Sequence, residues 1–275
     1  MITASTLQTF YNDLDAPASA VKAIDKVMKK FYRYLEFEGY ARNITGYLVL
    51  PKDDKPVTKD NNKVIVWSDE EIKAILNSFD KAQKGFRLKF LLILAYNTGC
   101  RISELLALTY EDFENSAMSV NKQVINRPIF KRGEKTTYVM DVDPLKSKSS
   151  YRIIPLNSEV LAELEKHRAW QNRDMMKNGY RTNYLFTTDS GALYDRHNIP
   201  HACERYYARI GVEKKGFHTY RHTFGTNLCR KGVAIQIASS LLGHADINIT
   251  AKYYVDVSQD EKQQAVDLLA GIVTG

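Results

Sequence analysis

Residues 85–113 read GFRLKFLLILAYNTGCRISELLALTYEDF, and the order of chemistry along this stretch decides the fold. Residues 85–97 read as a strongly apolar helix. Gly99 breaks that helix, and a second short helix begins near Arg101. Upstream, Ser68 followed by Glu70 and Glu71 places a hydroxyl cap and two carboxylates at the positive end of a helix spanning Ser68–Phe79. Downstream, runs rich in Val, Ile, Thr and Tyr at Ser119–Ile125, Lys135–Val142 and Tyr151–Leu156 read as strands. The last two are joined into a hairpin by DPLKSKSS. Helical periodicity returns at Ser158–Lys177, Asp195–Ile210, His218–Lys231, Val233–Leu242 and Gln259–Leu269. The expected fold is mostly α with a small antiparallel β-sheet, an α+β arrangement.

The front of the chain has a different character. Residues 19–39 form an amphipathic pattern with Ile24, Val27, Met28, Phe31 and Leu35 on one face. Lys22, Lys26, Lys29, Lys30 and Arg33 occupy the other, and Ser19 is the expected cap. Residues 51–66 open with PKDDKPVTKDNNK, a polar stretch with two prolines that reads as a linker. The expected organisation is a helical unit over 1–50, the linker over 51–66 and a larger domain over 67–275.

Composition sets the outer limits. The chain has 275 residues, of which 44% are hydrophobic and 26% charged, values suited to a packed core and not to a disordered chain. No apolar run approaches the roughly 20 residues that cross a bilayer, so no membrane partner is expected. Cys100, Cys203 and Cys229 are scattered, with no CxxC pair or zinc spacing, and a reducing cytoplasm is the expected location. The formal charge is +7. Residues 1–60 hold nine Lys/Arg against eight Asp/Glu, whereas residues 121–155 hold eight against three. Positive charge concentrated in one segment points to a local polyanion, with an ordinary solvated basic hairpin as the alternative.

Six residues carry the chemistry. Arg101 lies in NTGCRISELLAL, Lys146 in the turn DPLKSKSS, His218 and Arg221 in HTYRH, His244 in LLGHADINIT, and Tyr253 nine residues beyond His244. Singly, each has an ordinary structural explanation: Arg101 pairs with Glu104, Lys146 is a surface lysine, and Tyr253 is one of 17 tyrosines. His218 and His222 stand at i, i+4 as metal ligands do, but no glutamate lies between them and Arg221 would repel a cation. As a set they fit phosphodiester transfer. Two guanidiniums bind the nonbridging oxygens, where negative charge accumulates in the transition state. A tyrosine, with its unperturbed pKa near 10, needs a neighbouring base and cations to attack at neutral pH. A lysine on a hairpin can protonate the leaving oxygen. No carboxylate cluster suited to Mg²⁺ is present, so neither metal nor other cofactor is expected.

The motifs resemble those of the tyrosine recombinase, or phage integrase, family. TGCRISELLALTYEDF is similar to the family's first arginine motif, HTYRHTFGTNL to its His-x-x-Arg motif, and LLGHADINITAKYY to its Leu-Gly-His motif with the tyrosine nine residues on. KSKSSYRIIPL stands between the first two, and the resemblance covers roughly residues 65–275. It implies the catalytic fold of that family behind a partial helical core-binding domain, shorter than usual.

Carried over position by position, the resemblance implies that Arg101 and Arg221 clamp the scissile phosphate. His218 acts as base or hydrogen-bonds the nucleophile, His244 contacts a nonbridging oxygen, and Lys146 protonates the 5′ oxygen. Glu104 supports the arginine, and Tyr253 forms a 3′-phosphotyrosine. Tyr254 and Lys148 compete for the last two roles, with spacing favouring Tyr253 and Lys146. Lys22, Lys26, Lys29, Lys30, Arg33, Lys148 and Arg152 are expected on DNA phosphates. The implied partners are double-stranded DNA, a homotetramer on two duplexes and accessory DNA-bending proteins, in the service of integrating or excising a mobile element. A type IB topoisomerase and a DNA-binding module without catalysis are the competing readings.

Overall fold

A computed structural model describes residues 2–50, 64–79 and 86–251. Residues 51–63 of the expected 51–66 linker, the expected terminal helix Gln259–Leu269, Tyr253 and Tyr254 lie outside these residues. The chain divides into two compact units, residues 1–63 and 64–275.

The first unit is built on α1 (Ala4–Asp13) and α2 (Ala18–Phe37). Thr3 caps α1, its Oγ1 accepting from the Thr6 amide. Helix α1 has no strong sequence signature, because only Leu7 and Tyr11 of it are buried and two apolar positions make a weak pattern. Helix α2 starts one residue earlier than expected, after Pro17 rather than at a Ser19 cap.

The buried line along α2 also differs from the expected face. Val21, Asp25 and Tyr32 are buried, flanked by partly buried Ile24, Met28 and Leu35. Val27 and Phe31 are 65% and 50% exposed. Asp25 disguised the stripe. It is a carboxylate in a core position, stabilised by the Tyr11 hydroxyl at 3.5 Å and by Lys29 Nζ at 2.8 Å. Gln8 closes the unit by bonding both the amide and the carbonyl of Val49, at 2.8 and 2.9 Å.

The second unit packs around α4 (Phe86–Thr98), whose residues Phe90–Ala95 are all buried. It is covered by α3 (Asp69–Phe79), α5 (Ile102–Leu105), α6 (Ser158–Asn178) and α8 (His218–Arg230). Neighbours on several sides are what the uninterrupted apolar run Phe90–Ala95 demands. Gly99 ends α4 at φ +60°, and a Cβ there would sit 2.5 Å from Phe224 Cδ1. Only glycine allows both that backbone angle and that approach.

The strands form two antiparallel sheets. One has the order β1 (Phe113–Glu114), β2 (Ala117–Val120), β5 (Arg152–Pro155), and the other pairs β3 (Lys122–Ile129) with β4 (Thr137–Pro144). The expected hairpin between Lys135–Val142 and Tyr151–Leu156 is not formed. β4 pairs with β3 through eight positions, and β5 pairs with β2, placing Val120 opposite Arg152 and Met118 opposite Ile154. The expected single strand Ser119–Ile125 is divided between β2 and β3. Long-range burial decided the pairing: Ile154 of β5 joins Met118 and Val120 of β2 in the core. The segment 145–151 therefore crosses between sheets.

Beyond β5, α6 is capped by Asn157, whose side chain accepts from the Val160 amide at 2.9 Å. Then follow α7 (Asn198–Arg209), α8, α9 (Ile235–Leu242) and the short α10 (Ile247–Ala251). No helix among the described residues is long and apolar enough to cross a membrane.

Candidate active site

Arg101 occupies the N-cap position of α5, immediately after the Gly99 break. Its side chain is 38% exposed, and Nη1 donates to Glu104 Oε1 at 2.8 Å. Glu104 is 2% exposed and also accepts from the Arg101 amide and from Arg152 Nη2, each at 2.8 Å. Burial alone would raise its carboxyl pKa. The bonds and charges of Arg152 and Arg101 outweigh that and hold it below the usual carboxylate range.

Arg221 lies in the first turn of α8 and is 2% exposed. Nη1 donates to the Gly99 carbonyl at 2.9 Å and Nη2 to the Leu242 carbonyl at 2.6 Å. Those carbonyls sit at the C-terminal ends of α4 and α9, where helix dipoles favour a cation. Of the two arginines expected to clamp a phosphate, Arg101 is partly exposed and Arg221 is buried.

His218 opens α8, with its ring perpendicular to that of His222 at a centroid separation of 4.7 Å. Its pKa is pushed down to about 4, first by burial and then by the charges of His222, Arg221 and Arg101. His244 follows Gly243, which leaves α9 at φ +67°, and its Nδ1 meets Thr250 Oγ1 of α10 at 2.8 Å. Its pKa is also pushed down to about 4, by burial and then by Arg221, Arg101, Arg152 and His218. Both rings are thus neutral at pH 7. Two histidines from distant motifs thus feel the charges of the same two arginines, Arg101 and Arg221.

The other expected residues divide. Lys146 and Lys148 are exposed on the crossover segment between β4 and β5. Lys22, Lys26, Lys30 and Arg33 are exposed on α2, whereas Lys29 is engaged with Asp25. Arg152 corrects an expectation. Its side chain is 4% exposed, and its guanidinium is committed to Glu104, Cys100, Ser150 and Leu241, so it is not placed to meet DNA phosphates. The alternation of β5 carried that signal, since Arg152 shares a face with the buried Ile154 and Leu156. Thr250 was also missed, and the sequence offers no sign of its pairing with His244. Among the described residues no three His, Cys, Asp or Glu side chains gather as metal ligands.

A family profile described as the phage integrase family matches residues 66–261. A tyrosine recombinase XerC-like protein of Caldanaerobacter subterraneus subsp. tengcongensis is 34% identical, over 96% of this chain and 69% of that protein. The tyrosine recombinase XerD of Vibrio cholerae is 26% identical over 90% of this chain and 73% of its own length. Among solved structures, the Tn1549 transposon integrase in complex with a circular intermediate DNA superposes with a TM-score of 0.69 at 20% identity, covering 98% of this chain and 86% of that one. The XerH site-specific recombinase bound to palindromic difH substrate gives 0.66 at 20% identity, covering 98% and 70%. With the family profile spanning most of the chain and a relative at one-third identity over 96% of this chain, the chain belongs to the phage integrase family, the tyrosine recombinases, which are DNA strand transferases.

Proposed function

We propose that the protein recombines double-stranded DNA at specific sites through a 3′-phosphotyrosine formed on Tyr253. The observation that supports the roles of individual residues is that the charges of Arg101 and Arg221 both act on His218 and on His244. In this reading the Tyr253 oxygen attacks phosphorus while the bond to the 5′ oxygen breaks. His218, neutral at pH 7, takes the phenolic proton, and Lys146 gives one to the departing 5′ oxygen. Arg101 binds a nonbridging oxygen directly, and His244 donates to another from the ring nitrogen not facing Thr250. Arg221 supplies fixed positive charge beneath them. A 5′ hydroxyl of another strand then attacks the phosphotyrosine, which restores the phosphodiester and frees Tyr253. The bond energy is retained in the intermediate, so no nucleotide hydrolysis is needed.

The exposed cations of α2 supply phosphate contacts from the helical unit over residues 1–50, and the domain over 67–275 carries the chemistry. Solved neighbours bound to DNA support the choice of substrate. The active assembly is a homotetramer on two duplexes, helped by accessory DNA-bending proteins, and it acts in the bacterial cytoplasm to integrate or excise a mobile element.

A duplex nicked near the scissile phosphate, incubated with the protein in EDTA and run on a denaturing gel, tests this. A covalent protein–DNA band that disappears in Tyr253→Phe is expected. A band lost only in Tyr254→Phe moves the nucleophile by one residue. A Tyr253-dependent band from a protein that relaxes supercoiled plasmid but exchanges no strands favours a topoisomerase. Tight DNA binding with no band leaves a binding module.

A further inference from the structure

Arg152 makes four side-chain hydrogen bonds beside the site, and the proposed mechanism gives it no chemical step. Its Nε donates to the Leu241 carbonyl at 2.8 Å and its Nη1 to the Ser150 carbonyl at 2.9 Å. Its Nη2 reaches Glu104 Oε2 at 2.8 Å and Cys100 Sγ at 3.2 Å. The packing is as close as the bonding. A Cβ added to Gly243 would lie 3.1 Å from Arg152 Nη1, 3.2 Å from its Cδ and 3.2 Å from the Ser149 carbonyl.

Three segments far apart in sequence therefore meet on one guanidinium. Residues 100–104 carry Arg101, residues 146–150 carry Lys146, and residues 241–244 carry His244. A planar fork with five donors can serve acceptors in several directions at once, which the single nitrogen of lysine cannot. With 4% of its side chain exposed, Arg152 does not itself touch DNA.

We propose that Arg152 is a positioning residue that sets the Lys146 segment and the Leu241–His244 turn in register with the Arg101 motif. The idea rests on the catalytic roles assigned above to Lys146 and His244. Displacing a catalytic group by a fraction of an ångström lowers the rate without weakening the binding of substrate, because binding uses many contacts and chemistry uses few.

The test compares the full-length protein with Arg152→Met and Arg152→Lys on two nicked duplexes, one normal and one with a 5′-phosphorothiolate leaving group that needs no proton. Adduct formation is followed in single turnovers at saturating DNA, with DNA affinity and thermal melting measured alongside. At saturation the Met variant is expected to cleave the normal duplex about 100-fold more slowly, with affinity changed by less than about threefold. The phosphorothiolate duplex is expected to recover at least about tenfold of that loss, because it bypasses the misplaced lysine. The Lys variant is expected to fall between Met and wild type, and it carries the same comparison if the Met variant melts below the assay temperature. A folded variant cleaving within about threefold of wild type, or an equal loss on both duplexes, overturns the proposal. Absence of adduct from the wild-type protein instead removes the catalytic reading, and is seen before any Arg152 variant is made.

Discussion

Arg221 Nη2 donates to the Leu242 carbonyl at 2.6 Å, tying the first turn of α8 to the last residue of α9. With its bond to the Gly99 carbonyl, the same side chain joins the ends of two helices that are not neighbours in sequence. Arg221→Met would leave both carbonyls without this donor in a buried site. A loss of about 2–3 kcal/mol of unfolding free energy is expected, together with loss of the covalent adduct. Urea unfolding of the full chain measures the first. A variant as stable as wild type would mean that these bonds contribute nothing net.

Gly99 lies under that contact, and its backbone angle and its crowding make the same demand. In Gly99→Ala the new methyl meets the Phe224 ring and Leu242 Cδ2, at 2.5 and 3.0 Å, on a backbone at φ +60°. Overpacking and the left-handed angle together should cost about 2–4 kcal/mol. Adduct formation should fall as well, because the Gly99 carbonyl that anchors Arg221 has to move. Thermal melting that places the variant within a degree of wild type would contradict the packing described for this turn.

The low proton affinity of His218 and His244 fixes a pH dependence. Both pKa values are depressed from the model-compound value of 6.5 to about 4, chiefly by burial and then by surrounding cations. The neutral rings therefore favour the native state above pH 6.5, and that contribution is lost as pH falls toward 4. The ratio kcat/KM reports groups of the free enzyme. Its acid limb for adduct formation is expected near pH 4–5 and not near 6.5. A half-maximal rate at pH 6.5 or above would show that neither ring is the base, or that the cationic neighbours do not reach them.

The sequence disclosed elements whose pattern comes from local burial, and it hid those decided by distant partners. Phe90–Ala95 are legible as a buried helix because no polar residue interrupts them, and Gly99 marks its end. The strands were found, yet their pairing was misread. Nothing local distinguishes β4 joined to β5 from β4 joined to β3, and the outcome depends on Ile154 filling the space under Met118 and Val120. On α2 the buried Asp25 interrupted the apolar stripe, so Val27 and Phe31 were assigned inward when they face solvent. The site shows the same division. Arg101, His218, Arg221 and His244 stood out as residue types at set spacings. The burial of Arg221 and the internal bonds of Arg152 belong to tertiary contacts that a cation's identity does not announce.

Glu104 offers the most discriminating stability measurement. It is buried between Arg152 and Arg101, and those partners outweigh burial and hold its pKa below the ordinary carboxyl value of 4.5. A depressed folded-state pKa means that the ionised carboxylate adds stability above pH 4.5, and that this is lost as pH falls through the folded value. Glu104→Gln keeps the size and removes the charge, so at pH 7 it should lower unfolding free energy by about 3 kcal/mol. The gap between the two proteins should narrow as pH falls below 4.5 and through the depressed folded-state value. Histidine titration acts on both and cancels in the difference. Urea midpoints across pH 3–7 give the difference curve directly, and a gap independent of pH would mean that Glu104 stabilises the turn through its hydrogen bonds and not through its charge.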